Sequence, residues 1–396
     1  MNIRLSSRVQ RIKPSPTLSV TARAAELRAA GRDIIGLGAG EPDFDTPEHI
    51  KEAAKAAIDQ GFTKYTAVDG TPGLKRAVAD KFDRENGLDY ALDQILVSCG
   101  GKQSFFNLAQ ALLEPGDEVI IPAPYWVSYP DMVLLADAIP VPVLAGAEQQ
   151  FRITPGQLEA AITERTRLLV LNSPSNPTGS VYPRAELEAL GEVLRRHPDV
   201  LIATDDMYEH ILWGEEPFCN IVNACPDLIE RTIVLNGVSK AYAMTGWRIG
   251  YAAGPAVLIK AMKKIQSQST SSPTSVSQVA AQAALEGDQS CVASMCAAFK
   301  QRNDYIVAAL NGIAGVECLP AEGTFYCFPK VEGAIARLAG IDDDVALAEY
   351  LINEANVALV PGSAFGAPGY LRVSFATSLD NLKLAAERLA AALGTK

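Results

Sequence analysis

Short, continuous apolar runs rich in β-branched residues recur along the chain and alternate with segments of helical periodicity. A strand that is apolar on both faces must be covered on both faces, as in mostly parallel sheets packed between helices. This alternation therefore predicts an α/β fold with a mostly parallel sheet flanked by helices. The runs lie at residues 94–98, 117–122, 166–172, 199–205, 231–236 and 248–254, and helical segments lie at 102–114 and 184–196.

The C-terminal part changes character and predicts a smaller α+β domain. It contains a helical segment at 342–356, a short extended piece at 370–376 and a second helical segment at 379–393. We place the large domain at residues 46–285 and build the small domain from residues 1–45 and 286–396. Ser272 and Pro273 are expected to cap the long helix that connects the two. The uncharged stretch 267–278 is interpreted as structured, because strong helix formers follow it at once.

Size and charge restrict the classes of function. A chain of 396 residues favours one large domain with a smaller one. A hydrophobic content of 48% with 20% charged residues is typical of a soluble globular protein. The formal net charge of -11 argues against nucleic-acid or anionic-membrane binding as the main activity, because both require a basic surface.

Cysteine and histidine usage indicates a cytoplasmic protein without a metal site. The seven cysteines show no C-x-x-C spacing and are odd in number, which predicts free thiols in a reducing compartment. The N-terminus has no apolar core of signal-peptide length, and no later run has transmembrane length. The three histidines, His49, His197 and His210, lack metal-ligand spacing, so neither a metal site nor a histidine-based triad is expected.

Polar motifs follow four of the predicted strands. Ligands of open α/β sheets bind at the carboxyl ends of the strands, so these motifs mark the candidate site. Gly100, Gly101 and Lys102 open a helix after the first run. The others are "NSPSNPTG" (172–179), "TDDMYEH" (204–210) and "NGVSK" (236–240).

Each of these features has an ordinary structural explanation when it is taken alone. The glycine pair makes a tight turn, Asp205 caps a helix, Arg248 is a strand-edge charge and Trp126 is a core aromatic. Together they describe a pocket for a planar aromatic ligand that carries a phosphate. Backbone N–H groups at a helix start and Arg248 suit the phosphate, and Lys240 lies just past a strand end. Pyridoxal phosphate needs such a lysine, a carboxylate and a phosphate cup.

The order and separation of three motifs resemble those of a known family. "NSPSNPTG", "TDDMYE" and "SKAYAMTGWRIGY" (239–251) are similar to the motifs of the class I (fold type I) pyridoxal-phosphate aminotransferases. "GAGEPDFDTPEHI" and "YLRVSFA" extend the likeness towards both termini. The chain most resembles the bacterial and plastid type of aspartate aminotransferase, some members of which also use prephenate. The resemblance implies transamination between L-aspartate and 2-oxoglutarate by alternating half-reactions.

The resemblance also implies a role for each motif residue. Lys240 would bond to the cofactor and move a proton between the substrate and the cofactor. Asp205 would keep the ring nitrogen protonated, and Arg372 would bind the substrate α-carboxylate with help from the Gly40 backbone. Tyr65 resembles the tyrosine that reaches the phosphate in the partner subunit, which implies a homodimer with shared sites. The remaining cofactor contacts would come from Gly101, Lys102, Trp126, Asn176, Tyr208, Ser239 and Arg248; Trp126 and Asn176 would also contact the substrate.

Two departures from the family pattern bear on the substrate. Many members have a serine where this chain has Gly237, so Ser239 or another group must replace that phosphate contact. The sequence also shows no arginine that matches the one with which other aspartate enzymes bind the distal carboxylate. The plastid-like branch uses a lysine and a threonine for this, and Lys102 and Thr17 match them. A cation at a helix start opposes the helix dipole, so Lys102 favours a dicarboxylic substrate.

Three alternatives remain open on the sequence alone. The same scaffold serves aminotransferases of aromatic or neutral amino acids, and it serves β-eliminating carbon–sulfur lyases. Release of pyruvate and ammonia without an amino acceptor would identify a lyase. The fold also serves as the effector domain of transcription regulators, but that interpretation requires a DNA-binding domain ahead of the family's own start.

Overall fold

The computed structural model describes residues 3–214 and 216–395. The α-helices of this part are α1 (Ser7–Arg11), α2 (Pro16–Ala29), α3 (Glu48–Asp59), α4 (Pro72–Lys81), α5 (Gly101–Leu112), α6 (Ser128–Leu135), α7 (Pro155–Ala161), α8 (Arg184–Arg196), α9 (Ile221–Ala224), α10 (Ala256–Ser267), α11 (Ser275–Glu286), α12 (Ser290–Asn311), α13 (Glu332–Ile335), α14 (Asp344–Glu354) and α15 (Leu379–Leu393). The strands are β1 (Ile35–Gly36), β2 (Ile95–Ser98), β3 (Glu118–Ala123), β4 (Ile139–Leu144), β5 (Thr166–Asn172), β6 (Leu201–Asp205), β7 (Thr232–Gly237), β8 (Gly250–Ala253), β9 (Tyr326–Cys327), β10 (Val357–Ala358), β11 (Val360–Pro361) and β12 (Leu371–Ser374).

The central sheet has seven strands in the order β2-β8-β7-β6-β5-β3-β4. Strand β8 is antiparallel to both of its neighbours, and the other adjacent pairs are parallel. The prediction of an α/β fold with a mostly parallel sheet is therefore confirmed. The prediction that a strand begins at Arg248 was wrong: β8 begins at Gly250, because Arg248 adopts a left-handed backbone conformation with φ of 56°.

Alternate residues of the strands pack into two separate cores, one on each face of the sheet. Leu169 and Leu171 of β5 belong to the core formed with α3, α4, α8 and α11. Leu168 and Val170 of the same strand belong to the core formed with α5, α6 and α10. Successive side chains of a strand point to opposite faces, so continuous apolar strands fill both layers.

A third core lies outside the central sheet. Helices α12, α14 and α15 pack with β9, β10 and β12 around buried side chains that include Phe299, Phe325 and Phe375. Two small sheets accompany them, with the strand orders β11-β12-β9 and β1-β10. The helical segments predicted at 342–356 and 379–393 appear here as α14 and α15, and the extended piece appears as β12. The division at residues 45/46 and 285/286 stays a prediction.

The prediction that Ser272 and Pro273 cap a helix was wrong. Helix α11 begins at Ser275 with Thr274 as its N-cap residue, and residues 268–274 form the connection from α10. The long helix that follows is α12, with 22 residues. All seven cysteines are free thiols. Among the described helices, none has both the length and the apolar composition that crossing a membrane would take.

Candidate active site

A cavity of about 420 Å³ lies at the carboxyl ends of β5, β6 and β7, where β9 and β12 close it from the other side. The structure brings together at this cavity all but one of the site residues predicted from the sequence. These are Thr17, Gly40, Gly101, Lys102, Trp126, Asn176, Asp205, Tyr208, Ser239, Lys240, Arg248 and Arg372. The exception is Tyr65, which lies in the loop between α3 and α4 and is 93% exposed.

Lys240 lies in the turn after β7, where its ammonium group reaches across the cavity. Its Nζ donates a hydrogen bond of 2.5 Å to the Gly40 carbonyl oxygen. Burial lowers the pKa of Lys240 to about 8; the positive charges of Arg372 and Arg248 act in the same direction, whereas Glu41 and Asp205 oppose it. An amine with this pKa is partly neutral near physiological pH, as a nucleophile must be.

Asp205 ends strand β6 with its carboxylate in the cavity wall. The hydroxyl of Tyr129 donates to Oδ2 over 2.5 Å, and the Met207 N–H donates to Oδ1 over 3.3 Å. Burial raises the pKa of Asp205, and the hydrogen bond from Tyr129 lowers it in part. The carboxylate is thus held by neutral donors, so a cationic group bound in the cavity would be stabilised beside it.

The start of α5 and Arg248 form an anion cup. Gly100 precedes α5 with φ of 85°, and a Cβ atom at this position would collide with the Arg248 guanidinium. The guanidinium is oriented by a hydrogen bond of 2.9 Å from Nη1 to the Thr245 carbonyl. Free N–H groups at a helix start and a guanidinium are the groups that bind phosphate in proteins.

The structure explains why the chain has glycine at position 237. A Cβ atom there would lie 3.0 Å from the Cα of Gly250 and 3.2 Å from Cε of Met207. Because β7 pairs closely with β8 at Gly237 and Gly250, a serine at position 237 would require the neighbouring atoms to shift by a few tenths of an ångström. Ser239 lines the cavity instead.

Arg372 lies on β12 and is almost completely buried. Its Nη1 donates to Asn176 Oδ1 over 2.9 Å, and its Nη2 donates to the Gly38 carbonyl over 2.7 Å. Among the described residues, none accepts a hydrogen bond from its buried Nε. In the described part of the chain this guanidinium has no carboxylate partner, so it is suited to bind a carboxylate ligand in the cavity that it lines.

Lys102 is a further cationic residue of the cavity wall. The Lys102 ammonium is 5.1 Å from the centre of the Trp126 ring. Burial lowers the pKa of Lys102, and the nearby charge of Arg248 adds to this effect. Thr17 on α2 lines the same cavity. The cavity therefore offers separate cationic groups for two anionic ends of one ligand.

Tyr129, Glu41 and Tyr326 are among the residues of the cavity wall that the sequence did not predict. Tyr129 lies in the first turn of α6; its N–H donates to the carbonyl of Trp126 over 3.1 Å, and the two ring centres are 5.1 Å apart. Glu41 accepts a hydrogen bond of 2.8 Å from Thr245 Oγ1, and Tyr326 lies beneath Arg372. Neither carries a sequence signal, because only the tertiary fold brings residues 41 and 326 to the strand ends.

Among the residues that the structure describes, one cluster with metal-ligand chemistry appears outside the cavity, although no metal site was expected. Ligand atoms of Glu85, Glu209 and His210 lie within 4.8 Å of one another. The Lys81 ammonium contacts Glu209 and lies 3.6 Å from the Glu85 carboxylate, so a lysine already offsets this negative charge.

Comparisons with known proteins agree with this arrangement. The profile of the family described as aminotransferase class I and II matches residues 32–389. An aspartate/prephenate aminotransferase of Nitrosomonas europaea is 63% identical over 396 residues, which cover 99% of this chain and 100% of the relative. The crystal structure of an aspartate aminotransferase from Rhizobium meliloti matches with a TM-score of 0.96 and 50% identity, over 100% of both chains. The Thermus thermophilus aspartate aminotransferase, solved with maleate, matches with a TM-score of 0.93 and 46% identity, over 99% of this chain and 100% of that one.

Proposed function

The chain belongs to the class I and II aminotransferases, a pyridoxal-phosphate-dependent family, and we propose that it transfers the amino group of L-aspartate to 2-oxoglutarate. The products are oxaloacetate and L-glutamate, and prephenate is a second amino acceptor. The observation that carries this proposal is the cavity itself, which combines a lysine amine, an anion cup, a buried carboxylate and two separate cationic groups.

The residues of the cavity suit pyridoxal phosphate. The phosphate would be held by the N–H groups of Gly101 and Lys102 together with Ser239 and Arg248, in the cup that a Cβ at Gly100 would fill. The Asp205 carboxylate would accept a hydrogen bond from the protonated ring nitrogen of the cofactor. The bound group supplies an electron sink that acidifies the substrate Cα–H. The ring would stack on Trp126, with its phenolic oxygen near Asn176 and Tyr208.

The protein's own side chains then bind the substrate and move its proton. Arg372, with the Gly40 backbone nearby, would orient the α-carboxylate, since both residues line the cavity. Lys240 takes the proton from Cα and returns it on the cofactor side, which its pKa of about 8 allows at neutral pH. Asp205 would stabilise a positive charge on the ring nitrogen of the bound cofactor.

Lys102 and Thr17 support a dicarboxylic substrate, because they add a cation and a hydroxyl to the cavity that Arg372 also lines. The Nitrosomonas europaea relative is named for aspartate and prephenate, and the Thermus thermophilus relative was solved with maleate. All three compounds carry two carboxylates. The relatives compared above are named aminotransferases, so they give no support to the lyase or to the effector module.

The assembly and location form part of the proposal. We propose a cytoplasmic homodimer in which Tyr65 of each subunit reaches the cofactor phosphate of the other, in agreement with its exposure in the single chain. The large domain at residues 46–285 would hold the cofactor, and the small domain would supply Arg372.

The visible spectrum of the purified protein tests the function directly. Addition of L-aspartate without a keto acid should abolish the yellow band of the bound cofactor, and 2-oxoglutarate should restore it. The Lys240→Ala variant should bind the cofactor through its phosphate but show no turnover. A yellow protein that does not respond to aspartate would contradict the proposed substrate, and a protein that stays colourless with added pyridoxal phosphate would contradict the cofactor.

A further inference from the structure

Tyr326 lies between two residues to which the proposed function gives separate tasks. It begins β9, which is antiparallel to β12, the strand of Arg372. The side chain is completely buried and packs against the Phe325 ring at a centroid distance of 4.6 Å. Its backbone N–H donates to Thr324 Oγ1 over 3.1 Å. These contacts fix the position of the tyrosine ring in the cavity wall.

The face of the Tyr326 ring supports the Arg372 guanidinium. The Cζ atom of Arg372 lies 4.4 Å from the centre of the Tyr326 ring and 5.0 Å from that of Phe365. Arg372 is buried without a carboxylate partner, so the electrons of the rings provide part of the stabilisation that its charge requires. This packing holds the plane of the guanidinium in the cavity wall.

The hydroxyl of Tyr326 reaches a different group. It lies 3.3 Å from the hydroxyl of Tyr208, whose ring centre is 6.0 Å from the Lys240 ammonium. A phenol has one proton to donate, so a Tyr208 that donates to the cofactor accepts from Tyr326. Such a chain of hydrogen bonds strengthens the donor at its end. A side chain at Gly40 would lie 3.2 Å from the same hydroxyl, so Tyr326 also borders the loop that contacts Lys240.

We propose that Tyr326 is a positioning residue with two separable tasks: its ring orients Arg372 for the substrate carboxylate, and its hydroxyl strengthens the hydrogen bond from Tyr208 to the cofactor. The inference rests on the proposed function, because it assigns Arg372 and Tyr208 the tasks given there. It adds a physical link between the group that binds the substrate and a group that contacts the cofactor.

Two substitutions separate the tasks. Tyr326→Phe keeps the ring and removes the hydroxyl, whereas Tyr326→Leu removes both. In Tyr326→Leu, Arg372 loses the ring beneath it, and we expect succinate, a dicarboxylate without an amino group, to bind about 5- to 30-fold more weakly. In Tyr326→Phe this loss should stay below about threefold, since the ring contact persists.

The hydroxyl has its own measurement, the pH titration of the visible band of the cofactor-loaded protein. Tyr208 faces Tyr326, Arg372 and Asp205 as well as Lys240. Removal of the Tyr326 hydroxyl weakens Tyr208 as a donor to the anionic cofactor oxygen, so the titration midpoint should rise. We expect a shift of about 0.3 unit, which is a roughly twofold change in the equilibrium constant.

Succinate affinity is measured by calorimetry, and the midpoint is measured by absorbance. Tyr350→Phe is the matched control, because its hydroxyl lies 3.5 Å from the Ala392 carbonyl, outside the cavity. The control should change neither quantity. An unshifted midpoint in Tyr326→Phe would overturn the task of the hydroxyl, and equal loss of succinate in both Tyr326 variants would overturn that of the ring. If Tyr326→Leu does not fold, the titration midpoint of Tyr326→Phe still tests the task of the hydroxyl. A wild-type protein that binds no cofactor would instead contradict the proposed function.

Discussion

At the scale of single residues, the site depends on charges that are held close together without being paired. Lys240 contacts a backbone carbonyl rather than a carboxylate, and Asp205 contacts a tyrosine rather than a cation. Arg372 contacts an amide, a carbonyl and two aromatic rings. Each of these charged groups is therefore available to a ligand of opposite charge or to a covalent bond. This availability has measurable consequences for pH dependence and for substrate choice.

The pH dependence of cofactor attachment should reveal the low pKa of Lys240. The neutral amine is the reactive form, so the rate at which apoprotein takes up pyridoxal phosphate should rise with pH and reach half of its maximum near pH 8. Glu41 raises the pKa of Lys240, so the midpoint of Glu41→Gln should lie below that of the wild type. Stopped-flow absorbance measures both. Glu188→Gln, on the exposed side of α8, is the control; a Glu41→Gln midpoint equal to it would contradict this electrostatic role.

Lys102 should distinguish substrates by their second carboxylate. A charge-assisted hydrogen bond contributes about 1.5–3 kcal/mol, so Lys102→Ala should lower kcat/KM for aspartate about 10- to 100-fold. The loss for alanine, which has no distal carboxylate, should be much smaller. Steady-state kinetics with both amino acids measure the difference. An equal decrease of kcat/KM for aspartate and for alanine would mean that Lys102 contributes to cofactor binding alone.

At the scale of elements, the anion cup depends on the backbone at the start of α5. Gly100 adopts φ of 85°, which L-residues rarely adopt, and the hydrogen of its Cα lets the Arg248 guanidinium approach closely. Arg248 itself has φ of 56°. Such a conformation in a residue other than glycine is unusual and is typical of functional sites.

Substitution of Gly100 by alanine should separate backbone strain from loss of the cup. The substitution should destabilise the fold by about 1–2 kcal/mol and also displace Arg248, so pyridoxal phosphate should bind at least about tenfold more weakly. Gly116 provides the matched control, because it has φ of 96° and open space where a Cβ would lie. Gly116→Ala should show a similar loss of stability in thermal unfolding without weaker cofactor binding. Equal cofactor affinity in the two variants would contradict the role of Gly100.

The elements differ in how well the sequence predicts them. Strand β5 and helices α8 and α15 have the predicted bounds, because strong apolar periodicity coincides with clear helix and strand ends. Strand β4, "IPVPVL", was missed. It pairs only with β3 at the edge of the sheet, where prolines are tolerated because their missing N–H groups face away from the ladder. The contacts of Asp205 with Tyr129 and of Arg372 with Tyr326 depend on tertiary packing, which no local pattern encodes.

At the scale of the whole molecule, the single chain exposes large apolar side chains in its N-terminal segment and in the loop between α3 and α4. Leu18 on α2 is 68% exposed, and Tyr65 is 93% exposed. Ile3, Leu5 and Phe62 are exposed in the same two parts of the chain. Exposed apolar groups of this number are typical of a surface that another protein covers. They support the proposal that a second copy of the chain packs here and completes the site.

Mixed dimers should show whether Tyr65 acts on its own site or on that of its partner. Lys240→Ala inactivates the site of its own chain, and Tyr65→Ala should weaken cofactor binding at whichever site the tyrosine contacts. If the tyrosine acts across the interface, a hybrid of the two variants has one site with Lys240 and with the partner subunit's Tyr65, and this site is intact. At limiting pyridoxal phosphate, mixing and reassembling the two variants should therefore raise activity above that of either parent. If Tyr65 acted within its own chain, each site of the hybrid would keep one defect and activity would not rise. A monomer in size-exclusion chromatography would contradict the shared site outright, whereas recovery that depends on subunit exchange would establish it.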